Sequence, residues 1–277
     1  MFKIKRDAIV AFQGEPGAFS HHACLKIFGA KIKTKPCLVF DDAFESVARK
    51  CADFAVVPIE NTLAGSIHQN FDLLARHSLE IIAETSLRVE HNLIVHPHAS
   101  LRQIRQIYSH PAALEQCKRL LRRLKTVEKI AFYDTAGSVK FIRDRGLENA
   151  AAIASEDAAR IYGMKILRRG IEDEPENFTR FLALARKGRF PRTGIKTSIV
   201  FGLKNEPGVL FKALSVFALR NIDLTKIESR PIRRKPWQYL FYLDLKSDVS
   251  SPECINALRH LRELAPYLKV LGSYPTV

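Results

Sequence analysis

The chain has 277 residues, 47% hydrophobic and 26% charged, with a formal charge of +15 and five cysteines. That length supports a sizeable core and about two domains, and no apolar run reaches the roughly 18 residues that a membrane-spanning helix needs. The odd cysteine count without a C-x-x-C pair argues against a disulfide framework or a zinc site. The basic residues are scattered, and one Trp and seven Tyr offer little stacking surface, so an enzyme that attracts an anionic metabolite fits better than a nucleic-acid binder.

The basic start, Met1 to Asp7, is followed by Ala8-Ile9-Val10-Ala11-Phe12, which is too short for a signal core and has no small-residue cleavage site after it. It is read as the first strand of a cytoplasmic protein. The strand ends in Gln13-Gly14-Glu15-Pro16-Gly17-Ala18-Phe19-Ser20, a tight turn made by two glycines and a proline. Ser20 is the expected N-cap of a helix with apolar spacing at Ala23, Leu25, Ile27 and Phe28. Strand, glycine turn and helix start together present free N–H groups to an anion. The spacing matches neither the phosphate loop nor the dinucleotide fingerprint.

The pattern repeats. Cys37 to Phe40 leads into a helix reaching Lys50, and the buried strand Phe54 to Glu60 ends in Asn61-Thr62-Leu63-Ala64-Gly65-Ser66 before a helix from Ile67 to about Arg76. Strands alternating with short helices imply parallel βαβ units, whose ligands bind beyond the carboxyl ends of the strands. The polar side chains from Glu60 to Ser66, with Gly65 permitting close approach, suit either a polar ligand or a capped helix start. Residues 81–89 and 91–95 read as long strands with no helix between them, the kind of crossing that joins two lobes. A second set follows: a strand ending at Ser109-His110-Pro111 before a helix over 112–124, one ending at Asp134-Thr135 before a helix over 136–145, and Ala151 to Ala154 leading to Ser155. Hydroxyl residues are the expected caps. A single His at a strand end is commonly a structural hydrogen-bonder, and His110 is read so, although its chemistry also suits an acid or base. The pairs His21-His22 and His96/His98 lack metal-site spacing and are read as surface or capping residues.

Asp173-Glu174-Pro175-Glu176-Asn177-Phe178-Thr179-Arg180-Phe181 is an acidic turn entering an alternating strand that returns the chain to the first lobe. A hydroxyl and a guanidinium where loop becomes strand can donate hydrogen bonds to an anion. Residues 186–196, basic and broken by Gly and Pro, read as a linker. Beyond it the order strand 197–203, helix 208–220, strands 222–230 and 238–246, helix 252–264 and strand 267–273 is the ferredoxin-like βαββαβ arrangement.

Taken together, these segments resemble a prephenate dehydratase: Gln-Gly-Glu-Pro-Gly-Ala-Phe-Ser at 13–20, Pro-Ile-Glu-Asn-Thr-Leu-Ala-Gly-Ser at 58–66, Ser-His-Pro at 109–111, Asp-Thr-Ala-Gly-Ser at 134–138, Asn-Phe-Thr-Arg-Phe at 177–181, Pro-Gly-Val-Leu at 207–210 and Glu-Ser-Arg-Pro at 228–231. The C-terminal portion is also similar to plant-type arogenate dehydratases. Thr62 stands where the family often has Ser, and Val209 where many members carry Ala. The resemblance implies a two-lobed, periplasmic-binding-protein-like (type II) catalytic domain over 1–190, with lobe 1 at about 1–85 plus 172–190 and lobe 2 at about 86–171. A regulatory ACT domain over 197–277 follows.

It implies a lyase that takes CO2 and the ring hydroxyl from prephenate to give phenylpyruvate, with no cofactor or metal. Thr179 is the implied catalytic residue. Substrate binding is implied for Gly14, Gly17, Ser20, Glu60, Asn61, Thr62, Ser66, Ser109, Thr135, Arg180 and Phe181, with Arg180 facing a carboxylate of either substrate or protein. Feedback phenylalanine is implied at Asn205, Pro207, Gly208, Val209, Leu210, Glu228, Ser229, Arg230 and Pro231, in a homodimer or homotetramer joined through ACT domains. Nucleic acid and membrane are not expected partners. Arogenate dehydration is the alternative within the chemistry, and a non-catalytic amino-acid sensor the alternative outside it.

Overall fold

A computed structural model describes residues 6–188, 194–232 and 235–277. The centre of the linker read at 186–196, the start of the chain before Arg6 and Arg233-Arg234 therefore lie outside the described residues.

The chain begins as β1 (Ile9–Gln13), α1 (Phe19–Phe28), β2 (Lys33–Cys37), α2 (Phe40–Ala48), β3 (Phe54–Asn61), β4 (Gly65–Ser66), α3 (His68–Arg76) and β5 (Leu79–Arg88). It crosses into β6 (Asn92–Val95), β7 (Gln106–Ser109), α4 (Pro111–Glu115), α5 (Lys118–Arg123), β8 (Glu128–Ala131), α6 (Thr135–Asp144), β9 (Ala150–Ala154), α7 (Glu156–Tyr162) and β10 (Lys165–Arg168), then returns as β11 (Phe178–Arg186). The last part is β12 (Lys196–Gly202), α8 (Val209–Ala218), β13 (Leu224–Pro231), β14 (Tyr239–Leu245), α9 (Pro252–Leu264) and β15 (Tyr267–Tyr274).

Among the described residues these strands form three sheets, ordered β2-β1-β3-β11-β5, β10-β6-β9-β7-β8 and β13-β14-β12-β15. The first two are the lobes, and the extended crossing from β5 to β6 joins them as the missing helix implied. The third has the βαββαβ order. The strand expected at Cys37 to Phe40 lies earlier, at β2, where Pro36 is tolerated because β2 is an edge strand. The helix expected over 112–124 breaks at Gln116-Cys117 into α4 and α5. Among the described residues, no helix is long and apolar enough to cross a membrane.

Strand β11 fixes the placement of the third sheet. It runs antiparallel between β3 and β5, and side chains alternate along it with period two. Phe181, Ala183 and Ala185 join the core under α1 with Phe12, Phe54 and Val56. Leu182 and Leu184 face the other way, into a core that Phe71 and Leu74 of α3 share with Val200, Tyr242, Leu271 and Tyr274 of the third sheet. Helices α8 and α9 cover that sheet's opposite face. Contact is close enough that a Cβ added at Gly272 would lie 2.2 Å from the Ile81 carbonyl oxygen of β5. Gly272→Ala is therefore expected to push the two sheets apart and lower the thermal midpoint by several degrees, which a calorimetric scan reads directly.

Polar groups seal the same interface. Arg180 Nε donates to Glu84 Oε2 at 2.6 Å, Nη1 to Asp244 Oδ2 at 2.6 Å and Nη2 to the Tyr274 hydroxyl at 3.2 Å. Lys269 Nζ donates to the Leu74, Ala75 and His77 carbonyls at 2.7, 3.1 and 2.7 Å, capping the C-terminal end of α3. Burial alone raises the Glu84 carboxyl, but the Arg180 guanidinium, then Lys196 and the Thr276 hydroxyl, outweigh it and hold the group below its ordinary 4.5. A carboxyl lowered on folding adds stability above its unfolded value and loses it as pH falls through the folded value. Acid unfolding is therefore expected to weaken this interface below about pH 4.5, and Glu84→Gln to flatten that dependence in denaturant titrations from pH 6 to 3.

Candidate active site

The turn after β1 needs glycine at two places. Gly14 and Gly17 have φ of +110° and +94°, in the left-handed region. A Cβ on Gly14 would sit 2.8 Å from Asp134 Oδ2, and one on Gly17 would sit 2.6 Å from the Ala158 Cα of α7, so the turn lies directly against the second lobe. Ser155 Oγ donates to the Gly17 carbonyl at 2.6 Å and caps α7 through the Ala158 amide. Glu15 pairs with Lys140 at 3.1 Å and accepts from the Tyr133 hydroxyl at 3.1 Å. His22 meets Asp157 at 2.9 Å.

Several expected donors are already engaged. The Gly14 amide donates to the Cys37 carbonyl at 2.9 Å and the Gly17 amide to His21 Nδ1 at 3.2 Å. Ser20 is not the N-cap: α1 begins at Phe19, behind Ala18, so Ser20 is its second residue. The cap of α6 is Asp134, whose Oδ1 accepts from the Gly137 amide at 2.7 Å, and Thr135 is its first helical residue. Burial raises the Asp134 carboxyl above its ordinary value. Ser109 Oγ is turned away from the crevice, donating to the Ile153 carbonyl at 2.6 Å. His110 caps α4, accepting from the Ala112 amide at 3.2 Å, and burial lowers its pKa.

The floor of the crevice lies at the paired ends of β3 and β11, where the Thr62 amide still donates to the Phe178 carbonyl at 2.9 Å. Thr179 pairs with Asn61 in the antiparallel register. Asn61 Oδ1 accepts from the Leu63 and Ala64 amides at 3.0 and 2.8 Å, an Asx turn that settles which end of the side-chain amide is which. The two protons of its Nδ2 are then shared among Asn177 Oδ1 at 2.7 Å, Thr179 Oγ1 at 3.0 Å and the Phe178 carbonyl at 3.1 Å. Because Thr179 Oγ1 accepts this bond, its own proton remains available for another acceptor. Thr179 is only 9% exposed, so that acceptor would be met with little competing water.

The chain of contacts extends further than the sequence showed. Asn177 Nδ2 donates to Gln116 Oε1 at 3.0 Å, and Gln116 Oε1 lies 2.9 Å from His91 Nε2. An acceptor there requires the Nε2–H tautomer, and burial lowers the His91 pKa, which favours the neutral ring. Gln116 and His91 were not singled out, because an isolated amide and a lone His carry no periodic pattern, and Asn177 was quoted within the 177–181 stretch without a role of its own.

Other expected substrate contacts fall elsewhere. Phe181 is 1% exposed and packed in the core beneath α1, since the period-two register turns it inward. Arg180 faces Glu84 and Asp244, so the protein's own carboxylates, not a substrate's, are its partners. Thr62 Oγ1 is engaged with backbone, donating to the Glu176 carbonyl and accepting from the Phe178 amide, each at 3.0 Å. Glu60 and Ser66 turn toward β13, where Lys226 Nζ lies 3.0 Å from Glu60 Oε1 and Ser66 Oγ donates to Glu228 Oε2 at 2.5 Å.

In the third sheet, Asn205, Gly208, Val209 and Leu210 line a hollow of about 230 Å3 with Trp237, Tyr239 and Phe241. Pro207 precedes Gly208 in the turn. Ser229 and Pro231 are exposed. Glu228 and Arg230, expected at an effector, point the other way: Glu228 also meets His68 at 3.2 Å, and Arg230 meets Asp72 at 3.2 Å. A cavity of about 840 Å3 lies apart from the crevice, between α3 and the third sheet.

Comparison with known proteins agrees with this architecture. The prephenate dehydratase model matches residues 10–189 and the ACT domain model residues 197–263. A relative from Arabidopsis thaliana, "Arogenate dehydratase/prephenate dehydratase 2, chloroplastic", is 50% identical, covering 96% of this chain and 72% of its own length. The structure of prephenate dehydratase from Arthrobacter aurescens in complex with L-Phe superposes with a TM-score of 0.89 at 31% identity, covering 97% of this chain and 90% of that one. GqqA, described as a novel type of quorum-quenching acylase, superposes at 0.87 with 33% identity, covering 97% of this chain and 98% of that one. The cytoplasmic placement read from the N-terminus does not stand, because relatives this similar are named chloroplastic. The matched models and the extent of these likenesses show that the chain belongs to the prephenate dehydratase family, with an ACT domain following the catalytic part.

Proposed function

We propose that the protein dehydrates and decarboxylates prephenate, with arogenate as a second substrate, and that Thr179 assists departure of the ring hydroxyl. The observation that carries this reading is the Asn61-to-Thr179 bond of 3.0 Å, which joins two distant segments at the crevice floor and leaves the threonine proton to be given away. Loss of CO2 supplies the electrons that make the ring aromatic, and hydroxide leaves from the opposite ring carbon. A threonine is a weak acid, so its part is to hydrogen-bond the departing oxygen while water supplies the net proton. A preorganised donor in a dry site is worth about 3 kcal/mol. A nucleophilic hydroxyl, as in acyl transfer, instead needs a neighbouring base that accepts its proton, and Asn61 gives Thr179 a donor.

The donors left for substrate carboxylates are the Ser20 and Thr135 side chains at the starts of α1 and α6, since the Gly14 and Gly17 amides and the cap of α6 are already engaged. Arogenate is included because the relative 50% identical carries both activities in its name.

Phenylalanine fits the hollow at Asn205 and Gly208 to Leu210. Aromatic walls suit its ring, and the start of α8 suits its carboxylate. A second ACT domain would pair along β13, an edge strand whose Ile227 is 50% exposed. The test is steady-state turnover of prephenate and arogenate by the purified protein, with and without phenylalanine. The reading expects both to be consumed and phenylalanine to slow both; turnover of neither overturns it.

A further inference from the structure

Strand β13 reaches from the regulatory sheet to the catalytic hairpin. Its residues alternate, with Lys226, Glu228 and Arg230 partly buried and Thr225, Ile227 and Ser229 exposed. The even set faces the catalytic part. There the pair Glu60 and Ser66 closes the β3–β4 hairpin, directly opposite one another in register. Lys226 Nζ lies 3.0 Å from Glu60 Oε1 and 3.1 Å from Ser66 Oγ, over the Phe71 ring at 5.5 Å. Its side chain is only 10% exposed, while that of Glu60 is 38% exposed, so the pair is screened from one side. Beyond this pair Asn61 faces Gly65, whose φ is +79°, and the three residues 62–64 form the hairpin tip. Asn61 is the next residue along β3 from Glu60, and its side chain both folds the tip and holds Thr179.

We propose that Lys226, a residue of the ACT domain, is a positioning residue for the dehydration. It pins both strands of the hairpin at the base, and so fixes the Asn61 amide that orients the Thr179 hydroxyl. The catalytic part then lacks one of its own supports without the regulatory sheet, and any movement of β13 reaches Thr179 through two side chains. This rests on the role given to Thr179 above.

The experiment uses the full chain and two readouts. Lys226→Met removes the charge and keeps much of the stem. It is expected to lower kcat about tenfold with little change in KM, and to speed hydrogen exchange at the Leu63 and Ala64 amides, which fold onto Asn61. Lys226→Arg is expected to recover most of both. Glu60→Gln should reproduce the loss, and the double variant Lys226→Met/Glu60→Gln should be no worse than either single one. Unchanged exchange at Leu63 and Ala64 in Lys226→Met overturns the proposal, whatever happens to kcat, as does faster exchange with unchanged kcat in an active enzyme. If the wild type turns over neither prephenate nor arogenate, the dehydratase reading fails, and the exchange rates alone decide whether Lys226 positions the hairpin.

Discussion

Thr179→Ala is expected to lower kcat for prephenate by at least about a hundredfold while KM and phenylalanine binding change little. The reasoning starts from the hydroxyl's surroundings. Its oxygen accepts from Asn61 Nδ2 at 3.0 Å, and β3 and β5 flank its backbone on both sides, so its position is set before substrate arrives. A donor fixed in advance acts on the departing oxygen more strongly than on the substrate's neutral hydroxyl, and such an interaction raises kcat without tightening binding. General acid assistance is typically worth ~10²–10⁴ in rate, and loss of one preorganised donor falls in the same range. Thr179→Ser, which keeps the oxygen, is expected to retain most of the activity. A fall in kcat/KM carried wholly by KM would instead assign Thr179 to uniform substrate binding.

Arg180→Ala is expected to cost roughly 3 kcal/mol of stability, the lower end of what breaking a buried ion pair costs. The guanidinium side chain is 16% exposed and bonds Glu84 and Asp244 at 2.6 Å each. Removing it leaves two buried carboxylates short of a partner, though Lys196 still meets Glu84 and Ser198 Oγ still donates to Asp244 at 2.5 Å. Those remaining bonds keep the loss from reaching the upper end. Since Glu84 lies on β5 and Asp244 on β14, the loss should appear as weaker docking of the third sheet on the first lobe. Urea unfolding reads it: a lower midpoint is expected, and an early transition for the ACT domain would place the effect at the interface. No change in midpoint would mean that Glu84 and Asp244 find full compensation elsewhere.

The order of strands and helices was legible in the sequence because each element carries its own period and its own boundary residues. Helix α9 shows this well, with Ser251 accepting from the Cys254 amide at its start and apolar spacing through Leu258 and Leu261. The crossing between lobes was legible as well, from the absence of a helix between two extended runs. Thr179 and Asn61 were singled out, and the structure brings them together.

What local pattern does not encode is the direction of a polar side chain whose partner lies far along the chain. Arg180 and Asp244 are 64 residues apart, and Ser66 and Glu228 are 162 apart. A charged residue on a half-buried strand suits a ligand and a neighbouring domain equally, so Glu228 and Arg230 were read as effector contacts when they bind the catalytic part. Hydroxyls at strand ends misled for a related reason. Capping at α6 fell to the carboxylate of Asp134 one residue earlier, and Ser109 satisfied a buried carbonyl instead of a ligand.

The central claim is that this crevice converts prephenate to an aromatic product. Incubating the purified full chain with prephenate and measuring phenylpyruvate and CO2 together tests it most directly. The account predicts equal amounts of the two, formed at a rate that Thr179→Ala nearly abolishes. Prephenate recovered unchanged from the wild-type protein would contradict it.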